Sequence, residues 1–281
     1  MFHNRKHHWP TATAAFVAGL AALTLAAATP STAANRATGH HDTTSTRPTI
    51  VLVHGAWADG SSWSSVTRRL QHKGYTVDVV PNPLRGVKSD SDYLRDYLAT
   101  VKGPVVLAGH SYGGMIITQA AAGDANVKAL VYVDAYIPET GDAIGPLSGP
   151  DSALAADPKT VFDFVGRTDG SGAVDLYIKQ ALFPGIFAKG VPARKAAVLA
   201  AGQRPLTLAA LSETSTGTPA WKTIPSWDVL GTADRVIPPA RQEFMAHRAN
   251  AHVTKVDAPH LSMVSDPRVV TEVIVSAAGH R

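Results

Sequence analysis

The sequence predicts an α/β fold, with a mostly parallel sheet of about six strands flanked by helices and a helical cap inserted after the fourth strand. Three observations predict it. Short uninterrupted β-branched runs, of which Thr49-Ile50-Val51-Leu52-Val53 is the first, are typical of strands buried on both faces. These runs alternate with helical stretches, which implies parallel strands joined by right-handed crossovers. The alternation breaks once, between Ile137 and Lys222, and then resumes.

The elements follow in order. After the first strand, Ser61–Lys73 reads as a helix stopped by Gly74, and Thr76–Val80 as a strand ended by Pro81. Ser89–Val101 places Tyr93, Leu94, Tyr97, Leu98 and Val101 on one helical face. Pro104–Ala108 is the third strand, Tyr112–Ala122 a small-residue helix able to pack close to a sheet, and Lys128–Val133 the fourth strand. Residues 137–222 contain several helical pieces rich in Pro and Gly and no convincing strand; both flanks belong to one sheet pattern, so this block is a cap rather than a separate domain. Ser226–Leu230 and His252–Val256 are then strands, and Pro239–Ala249 and Asp266–Ala278 helices.

The chain has 281 residues, 45% of them hydrophobic, enough for a sizeable core. A charged fraction of 17% argues against disorder. The absence of cysteine excludes thiolate zinc, iron–sulfur clusters, a cysteine nucleophile, disulfides and a lipidated cysteine. The first segment has the order of a secretory signal: Arg5 and Lys6, the small apolar run Thr11–Ala28, then Thr32-Ala33-Ala34 as a cleavage site. Residues 1–34 are therefore expected to be removed, leaving a secreted protein with no stable membrane association. An uncleaved anchor is the alternative, because the apolar run could just span a bilayer. Without Arg5 and Lys6 the net charge of +4 falls to +2, and no Lys/Arg run marks a nucleic-acid partner. Residues 35–48 read as a flexible leader, with His40 and His41 solvated there, and 49–281 as the folded domain.

The turn at Ser111 carries the chemistry. Gly109-His110-Ser111-Tyr112-Gly113 is a G-x-S-x-G string followed by Gly114. The string alone is weak; its placement between a buried strand and a helix gives it meaning. A tight turn there holds the serine in a strained geometry, with its oxygen above the sheet at the positive end of the helix. A serine hydroxyl needs a base, itself oriented by an acid, in the chain order serine, acid, histidine. His260 lies in the loop after the final strand and fits the base. Asp234, in Gly231-Thr232-Ala233-Asp234-Arg235, fits the acid, and Asp134 after the fourth strand is its rival. Asp257 is too near the base in sequence, and Asp266 reads as a helix cap. A developing oxyanion needs two N–H donors. Tyr112 follows the nucleophile, and Ala56 lies in the loop after the first strand. His54 reads as a brace for that loop, and His110 as wedged beside the elbow.

The strings GHSYGG, VHGAWADGSSW, GTADRVIPP and PHLSMVSDP together resemble the α/β-hydrolase superfamily over approximately residues 50–280. They resemble above all its small bacterial serine esterases and the group of plant methylesterases and hydroxynitrile lyases. The resemblance implies nucleophile Ser111, acid Asp234, base His260, oxyanion donors Ala56 and Tyr112, and a helical cap over 137–222. One departure is that the first two antiparallel strands of the fold are missing, since Asn35–Pro48 is not strand-like.

The expected function is a secreted serine hydrolase that cleaves a small-molecule carboxylic ester, lactones included, with no metal and no cofactor. Trp57, Met115, Leu261, Phe162 and Phe183 are candidates to wall an apolar pocket, with Tyr112, Leu182 and Phe187 beside them. A non-catalytic receptor on the same scaffold is the alternative, as is a lyase or perhydrolase using the same triad. As the resemblance has it, hydroxynitrile lyases of this type carry a lysine after the catalytic histidine and a threonine in place of the oxyanion-loop glycine. This chain has Leu261 and Gly55, which favours ester hydrolysis.

Overall fold

The computed structural model describes residues 47–280. The expected signal segment, nearly all of the leader, and His40 and His41 lie outside the described residues.

Six parallel strands form the central sheet: β1 (Thr49–Val53), β2 (Val77–Val80), β3 (Val105–His110), β4 (Val127–Val133), β8 (Ser226–Gly231) and β9 (His252–Val256), in the spatial order β2-β1-β3-β4-β8-β9. The first crossover, through α1 (Ser64–His72), runs toward one edge of the sheet. The next two, through α2 (Val87–Leu98) and α3 (Gly113–Ala120), run the other way. Right-handed crossovers in opposite directions place their helices on opposite faces. Accordingly α1 packs against the last helix, α10 (Pro267–Gly279), and α2 packs against α3. Helix α8 (Pro239–Arg248) joins β8 to β9, and the short α9 (Ser262–Ser265) follows β9.

Covering helices on both faces explain why the strands read as continuous apolar runs: Ile50, Val51, Leu52, Val106, Leu107, Leu130 and Val131 are all buried. The register pairs Val53 with Gly109, His110 with Val133, and Gly231 with Val256. The loops that follow β1, β3, β4, β8 and β9 therefore leave from one edge of the sheet, where open α/β folds place their sites.

Two expectations need correction. Tyr93 is exposed, because α2 buries the stripe Val87, Ser91, Leu94, Leu98, at helical spacing but rotated from the one expected. The cap is also not wholly helical. It carries α4 (Ile144–Ser148), α5 (Pro158–Val161), α6 (Phe183–Ile186) and α7 (Ala193–Ala201), but also an antiparallel sheet of β5 (Phe162–Gly166), β6 (Val174–Ile178) and β7 (Leu206–Thr207). The cap is pinned to the sheet domain: the Arg85 guanidinium lies 2.7 Å from Asp175, and Glu213 accepts the backbone N–H groups of Val87 and Lys88.

Candidate active site

Ser111 sits between β3 and α3 with φ of 52°, in the left-handed region a non-glycine residue adopts only under constraint. The constraint is local. Its carbonyl accepts the Gly114 N–H at 2.9 Å, and its N–H donates to the Val133 carbonyl at 3.2 Å. The turn is crowded: a Cβ on Gly114 would stand 2.1 Å from the Tyr136 carbonyl oxygen.

Ser111 Oγ lies 2.9 Å from His260 Nε2, and His260 Nδ1 lies 2.8 Å from Asp234 Oδ2. A carboxylate only accepts, so Nδ1 carries the proton and Nε2 is free to accept the serine proton. Burial holds the His260 pKa down, to about 3, which keeps the imidazole neutral. Burial pushes the Asp234 carboxyl up, while N–H donors hold it down: Ile237 and Val236 N–H donate to Oδ1, and the Gln242 amide donates to Oδ2. These donors offset only part of the effect of burial, which leaves the carboxyl raised above its usual range, and donors on both oxygens are the partners a carboxylate takes.

The rival acid lies elsewhere. Asp134 accepts the N–H of Gly231 at 3.0 Å and of Ser262 at 2.9 Å, so it binds backbone rather than imidazole. Burial raises its pKa well above the carboxylate range, and the nearby charge of Asp234 adds to this. Asp257 is exposed, and Asp266 caps α10 by accepting the Val269 N–H.

Both histidines beside the site brace loops. His54 Nδ1 donates to the Gly55 carbonyl and its Nε2 accepts the Asn82 N–H at 3.0 Å. His110 Nε2 donates to the His260 carbonyl at 2.9 Å. Burial lowers the pKa of both, His54 to about 4, so both are neutral.

Gly55 abuts the elbow so closely that a Cβ there would stand 2.7 Å from Ser111 Cβ. This brings Ala56 beside the turn that carries Tyr112. Among the described residues, neither the Ala56 nor the Tyr112 N–H meets a protein acceptor. Two unpaired N–H groups beside the serine are what an oxyanion hole requires. The Tyr112 side chain does not wall a pocket; its hydroxyl donates to the buried Asp90 on α2 at 2.9 Å.

Aromatic side chains close the site. Phe187, just after α6, stands 5.0 Å from the His260 ring and 6.1 Å from Trp57, and Phe183 stands 4.9 Å from Phe187. Trp57 stacks on Phe162 at 5.4 Å and donates its indole N–H to the Leu176 carbonyl of β6. Met115, in the first turn of α3, and Leu261, next to His260, are buried, whereas Leu182 is exposed. Ser111 itself is only 2% exposed. An apolar cleft of about 690 Å³ on the cap, lined by Ala143, Pro146, Val174, Leu208 and Leu211, includes none of the three hydrogen-bonded residues. Among the described residues, no group of three or more His, Cys, Asp or Glu side chains is arranged to hold a metal ion.

Sequence reasoning missed Gln242 and Asp90. Neither stands in a motif, and each gains its place only through packing of a helix against the site.

Known proteins share this architecture. The chain is similar in structure to polyneuridine aldehyde esterase, with 19% identity, a TM-score of 0.70, and coverage of 82% of this chain and 98% of that one. It is also similar to a pyrethroid hydrolase from Sphingobium faniae JZ-2, with 20% identity, a TM-score of 0.67, and coverage of 82% and 97%. At these identities the likeness is one of fold. In sequence, it is 34% identical over 108 residues to a carbendazim hydrolyzing esterase of Nocardioides sp. (strain SG-4G). That match covers 34% of this chain and 45% of the esterase, so the chain spans under half the length of that relative. The family model of the alpha/beta hydrolase family matches residues 50–273, from β1 into α10. By that match, and by the parallel sheet and serine elbow it spans, the chain belongs to the alpha/beta hydrolase family.

Proposed function

We propose that this protein is a secreted serine esterase that hydrolyses a small carboxylic ester through an acyl-enzyme on Ser111. The observation that carries the reading is the line from Ser111 Oγ through His260 to Asp234, with hydrogen bonds of 2.9 and 2.8 Å at a strained strand–helix turn. Ser111 Oγ attacks the ester carbonyl while His260 Nε2 takes its proton, and the Ala56 and Tyr112 N–H groups receive the oxyanion. Collapse of the tetrahedral adduct expels the alcohol, which leaves with the proton from His260. A water molecule then gives a proton to His260 and attacks the acyl carbon; the acid departs and Ser111 recovers its proton.

The esterases named among the relatives support an ester as substrate. The aromatic cover of Trp57, Phe162, Phe183 and Phe187 favours an apolar or aryl-bearing one, admitted when the cap shifts, because Ser111 is sealed at rest. The absence of space at Gly55 weighs against the lyase alternative, since a threonine there would collide with the elbow. The charged, apolar and small-residue order of residues 1–34 supports export.

An ester panel of varied acyl length, run on the full protein and on Ser111→Ala, tests the reading. The expected result is hydrolysis of short or aryl esters, lost in the variant, and negligible cyanide release from mandelonitrile. Cyanide release that depends on Ser111 without esterase activity would overturn it. Intact mass of the protein from culture supernatant tests export; a full-length chain found only in membranes would refute it.

A further inference from the structure

Asp134 is fully buried at the end of β4 with φ of 46°, a left-handed conformation that Asp and Asn tolerate and β-branched residues do not. The chemistry proposed above gives it no step. Its two oxygens reach two different loops. Oδ1 accepts the N–H of Gly231, where β8 turns into the loop that carries Asp234. Oδ2 accepts the N–H of Ser262, two residues beyond His260. The approach is close: a Cβ on Gly231 would stand 2.8 Å from Asp134 Oδ1 and 2.6 Å from the Ala258 carbonyl.

These two bonds close a ring. Asp134 holds the acid loop, Asp234 bonds His260, and the His260 loop returns to Asp134. The opposite side of the His260 loop is held at the His260 carbonyl by His110. A plain helix cap would touch only the start of α9; this side chain touches both loops whose separation sets the Asp234–His260 distance.

We propose that Asp134 is a positioning residue, which sets the Asp234–His260 geometry by holding the acid loop with one oxygen and the base loop with the other. The proposal rests on the reading of Ser111, His260 and Asp234 as the reacting line.

The test is Asp134→Asn, which keeps the shape and tolerates the backbone, yet must turn its amide NH₂ toward one of the two N–H donors. A displaced imidazole is expected to lower kcat about 10- to 100-fold while KM stays within about 3-fold. In proton NMR, the low-field resonance of the His260 Nδ1–H should move or vanish at temperatures where circular dichroism still reports the wild-type fold. Ser262→Pro removes the N–H that Oδ2 accepts together with the buried hydroxyl, at a first helical position where proline is tolerated. Ser262→Ala, which removes the hydroxyl alone, is its control and should stay near wild type. Ser262→Pro should lower kcat in the same way as Asp134→Asn, and the double variant should be no worse than Asp134→Asn alone. If Asp134→Asn does not fold, Ser262→Pro decides through the same resonance and the same split between kcat and KM. A lowered melting temperature with kcat and the low-field resonance unchanged would make Asp134 purely structural and overturn the proposal. Ser111→Ala is assayed alongside. An inactive Ser111→Ala beside a wild-type-like Asp134→Asn sinks the positioning role alone, whereas an active Ser111→Ala sinks the reading of the site.

Discussion

Strands β1, β3 and β4 are buried on both faces, whereas β5 in the cap buries Phe162 and leaves Phe164 43% and Val165 48% exposed. The two regions supply different things to one site. Ser111, Asp234, His260, Ala56 and Tyr112 all leave the edge of the buried sheet, where tight packing leaves a backbone little freedom. Phe162, Phe183 and Phe187 come from the half-exposed cap and lie over them. Under the proposed esterase reading, the difference divides the labour: the sheet edge sets the rate of chemistry, and the cap sets which esters reach it and how tightly they bind.

The largest effect should come from the sheet side. Ser111→Ala or His260→Ala is expected to lower kcat on an ester about 10⁴- to 10⁶-fold, with the double variant hardly worse than either, because the residues act as a unit. Asp234→Asn should cost about 10⁴-fold through the wrong imidazole tautomer. Steady-state kinetics on a purified series checks all of these; a mild Asp234→Asn beside a crippling Asp134→Asn would reverse the assignment of the acid.

Gly55→Ala, also on the sheet edge, forces a Cβ to within 2.7 Å of Ser111 Cβ and 2.9 Å of the His110 carbonyl. Displacing Ala56 in this way should lower kcat about 10²- to 10³-fold, as loss of one oxyanion donor does. KM should change little, and a large KM effect would place Gly55 among the binding residues.

The cap side should behave differently. Phe187→Ala removes the ring 5.0 Å from His260. It is expected to raise KM for aryl esters about 10-fold or more while kcat on small esters changes less, and to cost about 3–5 kcal/mol of stability. A fall of decades in kcat with KM unchanged would break the division between sheet and cap.

The smallest effect concerns pH and stability. His54 is buried neutral with its pKa lowered to about 4, below the unfolded value of 6.5, and its Nε2 accepts the Asn82 N–H. Between those values the unfolded chain binds more protons, so stability rises with pH. The contribution is fully present above pH 6.5 and is lost as pH falls toward 4, on the order of 3 kcal/mol in all. Thermal melts from pH 7 to 4 should show a steeper loss for the wild type than for His54→Gln. Parallel slopes would mean that His54 is not the group being titrated.

Legibility differed between the regions for a physical reason. Buried parallel strands are apolar on both faces, so β1, β3 and β4 stand out as runs. The cap hairpin carried a readable signal too: Val174-Asp175-Leu176-Tyr177-Ile178 buries Leu176 and Ile178 in alternation, and Asp169-Gly170 and Ser171-Gly172 form its turn. Its half-exposed partner β5 and the two-residue β7 blurred the pattern into the surrounding Pro and Gly. In the site, the positions of Ser111 and His260 follow from local strand–turn context. The positions of Gln242 against Asp234 and of Phe187 against His260 do not, because no motif records which helix turn faces a loop.

By itself the sequence determined the parallel sheet, the serine turn and the chain order of serine, acid and histidine, because each is written in short-range pattern: apolar runs, glycines at a tight turn, residues just past strand ends. The sequence favoured Asp234 as the acid but left Asp134 as its rival; the tertiary structure puts Asp234 against the imidazole and alone shows that Asp134 spans the two loops instead. Those contacts join residues 26 to 128 positions apart at distances near 3 Å. Periodicity places a residue on a strand end or a helix face; only the packing of strands and helices around it fixes which of two carboxylates lies within hydrogen-bonding reach.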